Sequence, residues 1–236
     1  MKTRLIPILT AALAAGSTIT AFADLQQLDS AQFDYKYEMR KLPTAENLDG
    51  SSANDFTGGS DMTWCTLGTG ADIGTVLMDM SKGNKSFTSS AAVGSAGDLW
   101  KTMNATHGTG YTIETRLKVS DVTGTAGAFF LNASLSGGNY NAFLYFFANQ
   151  LKWGGTVVTN MSTASWHTYR IVRIAGEEKY HLYVDGFLVK DDLGNSYSGT
   201  LDRLIFGAGG ANYKSKVRVA YLRLTKGAYA PLSRRR

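Results

Sequence analysis

No proline interrupts the chain between Pro43 and Pro231, although 26 glycines are spread along it. Proline removes a ladder donor and is kept out of interior strands, whereas glycine supplies the positive φ of tight turns. A long stretch free of the one and rich in the other suits a protein built of strands joined by short turns. The hydropathy pattern agrees. Phe33, Tyr35, Tyr37 and Met39 alternate with Asp34, Lys36, Glu38 and Arg40, and the run Tyr111 to Val119 (YTIETRLKV) repeats the period of two. Such alternation is a strand with one apolar and one wet face. Further strands are expected over Thr75 to Met80, Ala128 to Leu135, Tyr140 to Phe147, Gln150 to Trp153, Thr156 to Val158, His167 to Ile174, Lys179 to Val184, Leu201 to Phe206 and Lys216 to Leu224. After residue 23 only Ala91 to Met103 suggests a short helix or 3₁₀ turn. Short strands at regular spacing with Gly, Asn, Asp and Ser turns predict an all-β fold, a sandwich or jelly roll of two packed antiparallel sheets.

The first 23 residues have a basic start (Lys2, Arg4), an uncharged apolar run and Ala21-Phe22-Ala23 before Asp24. This is the layout of a cleaved secretory signal, and Gly16, Ser17, Thr18 and Thr20 break the run too early for a membrane anchor. Residues 24–231 are expected to form one domain, followed by a basic tail, 232–236. No transmembrane segment is expected after cleavage, and the destination is the extracellular space, the periplasm or the cell surface. Removal of Lys2 and Arg4 takes the formal charge from +5 to +3, which equals Arg234, Arg235 and Arg236 alone. The body is therefore near neutral, without the clustered basic face that nucleic acid requires. Cys65 is the single cysteine, so no disulfide holds the fold and the thiol is expected to be a small buried hydrophobe. N-x-S/T sequons occur at Asn84, Asn104, Asn132 and Asn160.

Two predicted strands are apolar on both sides. In Tyr140 to Phe147, Ala142, Leu144 and Phe146 oppose Phe143, Tyr145 and Phe147; in His167 to Ile174, Tyr169 and Ile171 oppose Val172 and Ile174. Such a strand lies where its second face is covered by loops, or where that face is a ligand surface. An aromatic groove of Phe143, Tyr145 and Phe147 is the ligand-surface version.

Trp166-His167 opens a strand that runs through Tyr169 and Ile171. A Gly-containing turn, Ala175 to Glu178, and then Leu182-Tyr183-Val184-Asp185-Gly186 follow. This W-H…LYVDG hairpin resembles that of laminin-G-like domains, and the similarity extends over roughly residues 111 to 226. The resemblance implies a concanavalin A-like jelly roll, a fold that hosts lectins, adhesion modules, glycosidases and lyases, so it does not choose a function. In the hairpin itself, Trp166 and Tyr169 are expected to anchor it to the facing sheet, and Asp185-Gly186 to make a tight turn. Glu177 and Glu178 fall at a solvated tip.

Glycosidases on this fold carry two or three carboxylates at alternate positions of one strand, because alternate residues point into one cleft. That spacing is absent, and Glu114, among Thr112, Arg116 and Lys118, is expected to be a solvated strand residue. No G-x-S-x-G elbow occurs, and His107, His167 and His181 match no zinc spacing. A lyase would have to use His181 and Tyr183, two apart on one strand face, with Arg170 on the neighbouring strand. Calcium, if bound, would sit in the Asp/Asn-rich stretch of Asp49, Asn54 and Asp55, with Asp72 and Asp79 a poorer pair. A sugar needs an aromatic platform beside hydrogen-bonding groups, which Tyr145, Trp153, Tyr183 and His181 with Asn141 and Asn149 could provide. The expectation is thus a secreted non-catalytic module that binds a glycan or an extracellular protein. A carbohydrate-active enzyme on the same fold and a structural envelope protein are the alternatives.

Overall fold

Fourteen strands occur in the described part of the protein. In the computed structural model this part comprises residues 25–43, 62–82, 86–90, 110–123, 129–135, 140–196, 203–207 and 214–232. They are β1 (Tyr35–Tyr37), β2 (Cys65–Leu67), β3 (Val76–Asp79), β4 (Ser86–Ser90), β5 (Tyr111–Thr123), β6 (Phe129–Leu135), β7 (Tyr140–Phe146), β8 (Gln150–Trp153), β9 (Thr156–Asn160), β10 (His167–Arg173), β11 (Tyr180–Val184), β12 (Phe187–Leu193), β13 (Arg203–Gly207) and β14 (Lys214–Lys226). One sheet runs β12-β11-β10-β5-β14-β3-β2, with β1 also on β14, and the other runs β4-β13-β6-β7-β8-β9; every pairing is antiparallel. The expected two-sheet architecture is therefore present. The short strands β2 and β4 lie in a Gly/Ser/Thr-rich region that gives little periodic signal. The helix expected within Ala91 to Met103 lies outside the described residues.

Aromatic side chains bind the two sheets together. Tyr169 of β10 meets Phe146 of β7 edge-on at 4.8 Å between ring centroids, and Trp153 of β8 meets Tyr180 of β11 at 5.1 Å. Trp64 stacks on Phe87 of β4 at 4.8 Å, and Phe87 continues to Phe206 of β13. Each fully buried ring of this size contributes roughly 1.5–3 kcal/mol relative to exposure. Cys65 is buried among them as expected, and desolvation pushes its thiol well above the ordinary value.

Two local devices set the register. In β14 the core residues are Val217 and Val219, then Leu222 and Leu224, so the inward parity changes once along the strand. The change is a β-bulge: Val219 lies opposite Leu117, but Tyr221, not Ala220, lies opposite Arg116. The extra residue turns Tyr221 to the outer face of the sheet. At the other end of that sheet, Asp185 (φ 52°) and Gly186 (φ 89°) make the two-residue turn between β11 and β12. Both central residues of such a turn need positive φ, which matches the twist of the flanking strands. Asp185 also fastens the turn to β10, accepting from the Thr168 amide at 2.9 Å.

Part of the outer face of the eight-stranded sheet is covered by the segments that precede β1 and follow β14. The segment before β1 pairs with the segment after β14 through the Leu28 amide to the Ala230 carbonyl at 3.0 Å and the Ala230 amide to the Gln26 carbonyl at 2.9 Å. Phe33, 3% exposed, packs there under the Arg170 guanidinium at 5.1 Å. On the outward side of β10 this cover lies over Arg170, which the segment before β1 also binds through the Leu28 carbonyl.

Gly186→Ala adds no steric clash, because nothing lies within 4 Å of a Cβ built there. The cost is that of the left-handed backbone alone, about 1–2 kcal/mol. A urea titration is expected to show a lower midpoint with an unchanged slope.

Candidate functional site

On the outer side of the six-stranded sheet, β7 presents Phe143 and Tyr145, and Phe147 continues the row just beyond the strand. All three are partly exposed. Phe143 and Tyr145 stack at 4.4 Å with 24° between planes, Phe130 of β6 backs Phe143 at 5.0 Å, and Tyr145 and Phe147 diverge to 6.5 Å at 49°. Lys152 of β8 lies opposite Tyr145 in the ladder, and its Nζ sits 4.6 Å from the centre of the Phe147 ring. With Gly154, Gly155 and Ser196, these side chains line a groove of about 390 Å³.

Ser196 forms one wall of the groove and belongs to the segment 194–196, which is held by groups behind it. Trp153 Nε1 donates to the Gly194 carbonyl at 2.6 Å. The Asn195 side chain accepts from the Asn141 amide at 3.2 Å, and the Ser196 amide and hydroxyl donate to the Asn141 carbonyl at 3.0 and 2.8 Å. Gly154 (φ 57°) makes the β8–β9 turn directly against this segment; a Cβ there would lie 2.7 Å from the Ser196 carbonyl oxygen. Only glycine allows both the conformation and the approach.

A second cavity, of about 430 Å³, opens on the opposite face of the molecule, over the eight-stranded sheet. At its floor Arg170 pairs with Glu114 at 2.7 Å through both Nε and Nη2, and both side chains are almost fully buried at 2% and 3% exposure. Tyr221 donates to the second oxygen of Glu114 at 2.9 Å, and Arg170 also donates to the Leu28 carbonyl at 3.0 Å. Burial, and next the Glu114 charge, hold the Tyr221 phenol above its ordinary value. The other carboxylates on this cavity are engaged as well. Asp185 contacts His167 Nδ1 at 2.6 Å, and Asp29 caps a 3₁₀ turn through the Ala31 amide.

The structure places the expected ligand residues on different faces. Tyr145 lines the groove, and Asn149 is exposed in the turn between β7 and β8, where its carbonyl accepts from Met161. Trp153 does not serve as a platform: it is 6% exposed, packs on Tyr180, and supports the groove wall from inside. Asn141 is fully buried, and its backbone amide and carbonyl hold the same segment. His181 and Tyr183 belong to the outer face of the other sheet, their rings 6.4 Å apart. His181 is largely buried instead of freely exposed, and burial lowers its pKa from 6.5, with the Asp191, Asp192 and Glu177 charges opposing the shift. Burial raises Tyr183.

Several other expectations are corrected. Glu114 is not a solvated strand residue but half of a buried ion pair, and Arg170 neutralises that carboxylate. Trp166 does not reach the facing sheet; it is half-buried on the outside, with Arg116 at 5.6 Å and Lys118 at 5.2 Å from its ring centre. Asn132 is buried at 2% exposure and donates to the Ala142 carbonyl, so that sequon cannot carry a glycan. Asp72 pairs with Arg218 at 3.2 Å, and Asp79 accepts from the Ser81 amide at 3.1 Å. Asp49, Asn54 and Asp55, the expected calcium ligands, and His107 lie outside the described residues. Among the described residues no three His, Cys, Asp or Glu side chains converge as a metal site, and no helix is long and apolar enough to cross a membrane.

Sequence reasoning misses two residues of the groove, Lys152 and Ser196. Lys152 had a signal, since it alternates with Leu151 and Trp153 in a strand closed by Gly154-Gly155. Ser196 had none, because the loop that carries it arrives from a distant part of the chain.

The arrangement is that of a jelly-roll β-sandwich with a covered face and an aromatic one. No family model and no curated protein matches the chain. Among solved structures it is similar to a carbohydrate esterase from the Shiga toxin-encoding bacteriophage phi24B, with TM-score 0.52, 14% identity, and coverage of 83% of this chain and 99% of that one. It is also similar to domain 4 of a GH43 extracellular arabinanase from Geobacillus stearothermophilus in complex with arabinotriose (TM-score 0.51, 13% identity, 84% and 94% covered). The binding domain of Paraclostridial Mosquitocidal Protein 1 gives TM-score 0.54 at 15% identity, covering 83% of this chain but 48% of that one. These likenesses establish the fold.

Two outcomes follow from the outer face of the eight-stranded sheet. Glu114→Gln leaves the Arg170 charge buried without its counter-ion and is expected to cost about 3–5 kcal/mol, measured by urea unfolding at neutral pH. His181, with its folded pKa below the unfolded value, favours unfolding when protonated. Its contribution is intact above pH 6.5 and is lost as pH falls from there toward the lowered folded value. The unfolding midpoint of the wild type should therefore drop more steeply between about pH 7 and pH 5 than that of His181→Gln.

Proposed function

We propose that this chain is an exported, non-catalytic, laminin-G-like module that binds a glycan through the aromatic groove of the six-stranded sheet. The observation that carries the proposal is the row Phe143, Tyr145 and Phe147, left partly exposed on a sheet whose other face already supplies the core. Large rings outside a core lose apolar stabilisation unless a ligand covers them. The negative face of an aromatic ring suits the C–H-rich face of a sugar, and the rigid 194–196 wall and the Gly154-Gly155 turn leave that face open. The same fold occurs in an arabinanase domain solved with arabinotriose.

The opposite cavity gives an enzymatic alternative less support. Catalysis by a carboxylate pair needs two acids poised about a scissile bond, one of them able to hold a proton. There Glu114 is neutralised by Arg170, and Asp185 and Asp29 serve turns and caps.

Residues 24–236 screened on a glycan array, with calcium and with a chelator, should bind at least one glycan class without shortening it. Tyr145→Ala should weaken that binding about tenfold or more while leaving the unfolding midpoint near the wild-type value, as expected for a central aromatic contact. Binding unchanged in Tyr145→Ala would refute the groove as the site, and chain shortening would refute the non-catalytic assignment. Dependence on the chelator would point to Asp49, Asn54 and Asp55.

A further inference from the structure

We infer that the outer face of the eight-stranded sheet carries a second ligand site, which takes a sulfate or phosphate ester of a polyhydroxylated molecule. The oxyanion sits on Arg116 and Lys118, and the hydroxyls enter the adjoining cavity. The inference does not depend on the aromatic groove of the other sheet. Arg116 and Lys118 project from one face of β5 and converge on one indole, with the Arg116 guanidinium carbon 5.6 Å and Lys118 Nζ 5.2 Å from the centre of the Trp166 ring. Like charges two residues apart on a strand face have their β-carbons only about 7 Å apart, and they repel each other. Four other cations of this face hold acids: Arg170 has Glu114 at 2.7 Å, Arg218 has Asp72 at 3.2 Å, Arg223 has Glu38 at 3.0 Å and Lys216 has Asp121 at 2.8 Å. Arg116 and Lys118 have neither an ion pair nor a hydrogen bond among the described residues.

Guanidinium and ammonium are donors without acceptors, and the planar guanidinium fork matches two oxygens of an oxyanion at once. Arg116 is exposed and also lines the cavity of about 430 Å³, with Thr168 opposite it on β10 and Tyr221 opposite it on β14. A cavity of that size accommodates the body of a small ligand. Its wall carries the complementary groups. Asp29 accepts from the Ala31 amide, and Asp185 accepts from the Thr168 amide and faces His167 Nδ1. A carboxylate has about four lone-pair sites, so both acids keep acceptor capacity for hydroxyl donors. The same two negative charges oppose an anion inside the cavity, which leaves the ester at the rim on Arg116 and Lys118. Donors at the rim and acceptors within call for a ligand that is anionic at one end and hydroxylated at the other.

The probes are glucose 6-sulfate and glucose 6-phosphate, each compared with glucose. The reporter is the indole N–H resonance of Trp166 in residues 24–236, identified by its absence in Trp166→Phe. Both esters are expected to shift it saturably, with half-saturation below about 10 mM at low salt, while glucose leaves it in place. Raising the salt from about 50 to about 500 mM should weaken the binding. Arg116→Gln and Lys118→Gln should each weaken it about tenfold, the size of one charge-assisted contact, with the unfolding midpoint near the wild-type value. Methyl sulfate, which has the oxyanion without the hydroxyls, should bind about tenfold more weakly than glucose 6-sulfate. Tyr145→Ala should leave the ester affinity unchanged. Absence of a saturable shift, an equal shift with glucose, or an affinity that survives both Arg116→Gln and Lys118→Gln overturns the inference. Methyl sulfate binding as tightly as glucose 6-sulfate overturns the role given to the cavity.

Discussion

The ion pair between Glu114 and Arg170 organises the eight-stranded sheet, and through it the allocation of the molecule's two faces. Two opposite charges removed from water are tolerated only when their geometry is good and their remaining hydrogen-bonding sites are filled. Here Glu114 takes both Arg170 and the Tyr221 hydroxyl, and Arg170 reaches the carbonyl of Leu28 in the segment before β1. Those contacts draw in three central strands and one terminal segment. A nearby pair repeats the pattern between β14 and the residue after β1, with Arg223 joined to Glu38 by two 3.0 Å bonds and its guanidinium 4.0 Å above the Tyr221 ring. The bulge in β14 belongs to the same arrangement, because without the additional residue Ala220 the Tyr221 hydroxyl would not be on the face where Glu114 lies.

On that face the segments before β1 and after β14 and the buried ion pair serve the fold itself. The six-stranded sheet is different: its outer side carries rings and one lysine, with no comparable network of buried charge among the described residues. Its shape nonetheless depends on the core. The Trp153 side chain and the Asn141 backbone are buried, yet they hold the segment 194–196 beside the groove, so a group can support a surface without touching what binds there. Gly154 adds the closest approach of the two pieces. The segment beside the groove is thus tied to the core by four hydrogen bonds.

Much of this organisation is legible in the chain itself. The period-two runs, the missing prolines and the Asp185-Gly186 pair anticipate the strands, because alternation and turn chemistry are local properties. The apolar character of both faces of β7 and β10 also identifies the strands that need something on each side. The identity of the cover is another matter. For β10 it is Phe33 and the terminal segments, and for β7 it is partly open space, although the two strands look alike as sequence. Glu114 looks like a solvated strand residue for the same reason: its neighbours in sequence are polar, while its partner Arg170 is 56 positions away.

The sequence by itself determined the all-β class, most of the strand positions though not β2, β4 or β12, the Asp185-Gly186 turn and the aromatic row on β7, since each follows from residues a few positions apart. Only the tertiary structure decided that Trp153 supports the groove without lining it, that Lys152 faces Tyr145, and that His181 and Tyr183 lie on the opposite sheet. Those outcomes depend on ladder register and on which sheet each strand joins. Both are set by the packing of distant segments against one another, and a single residue of slip reverses the face on which every side chain of a strand appears.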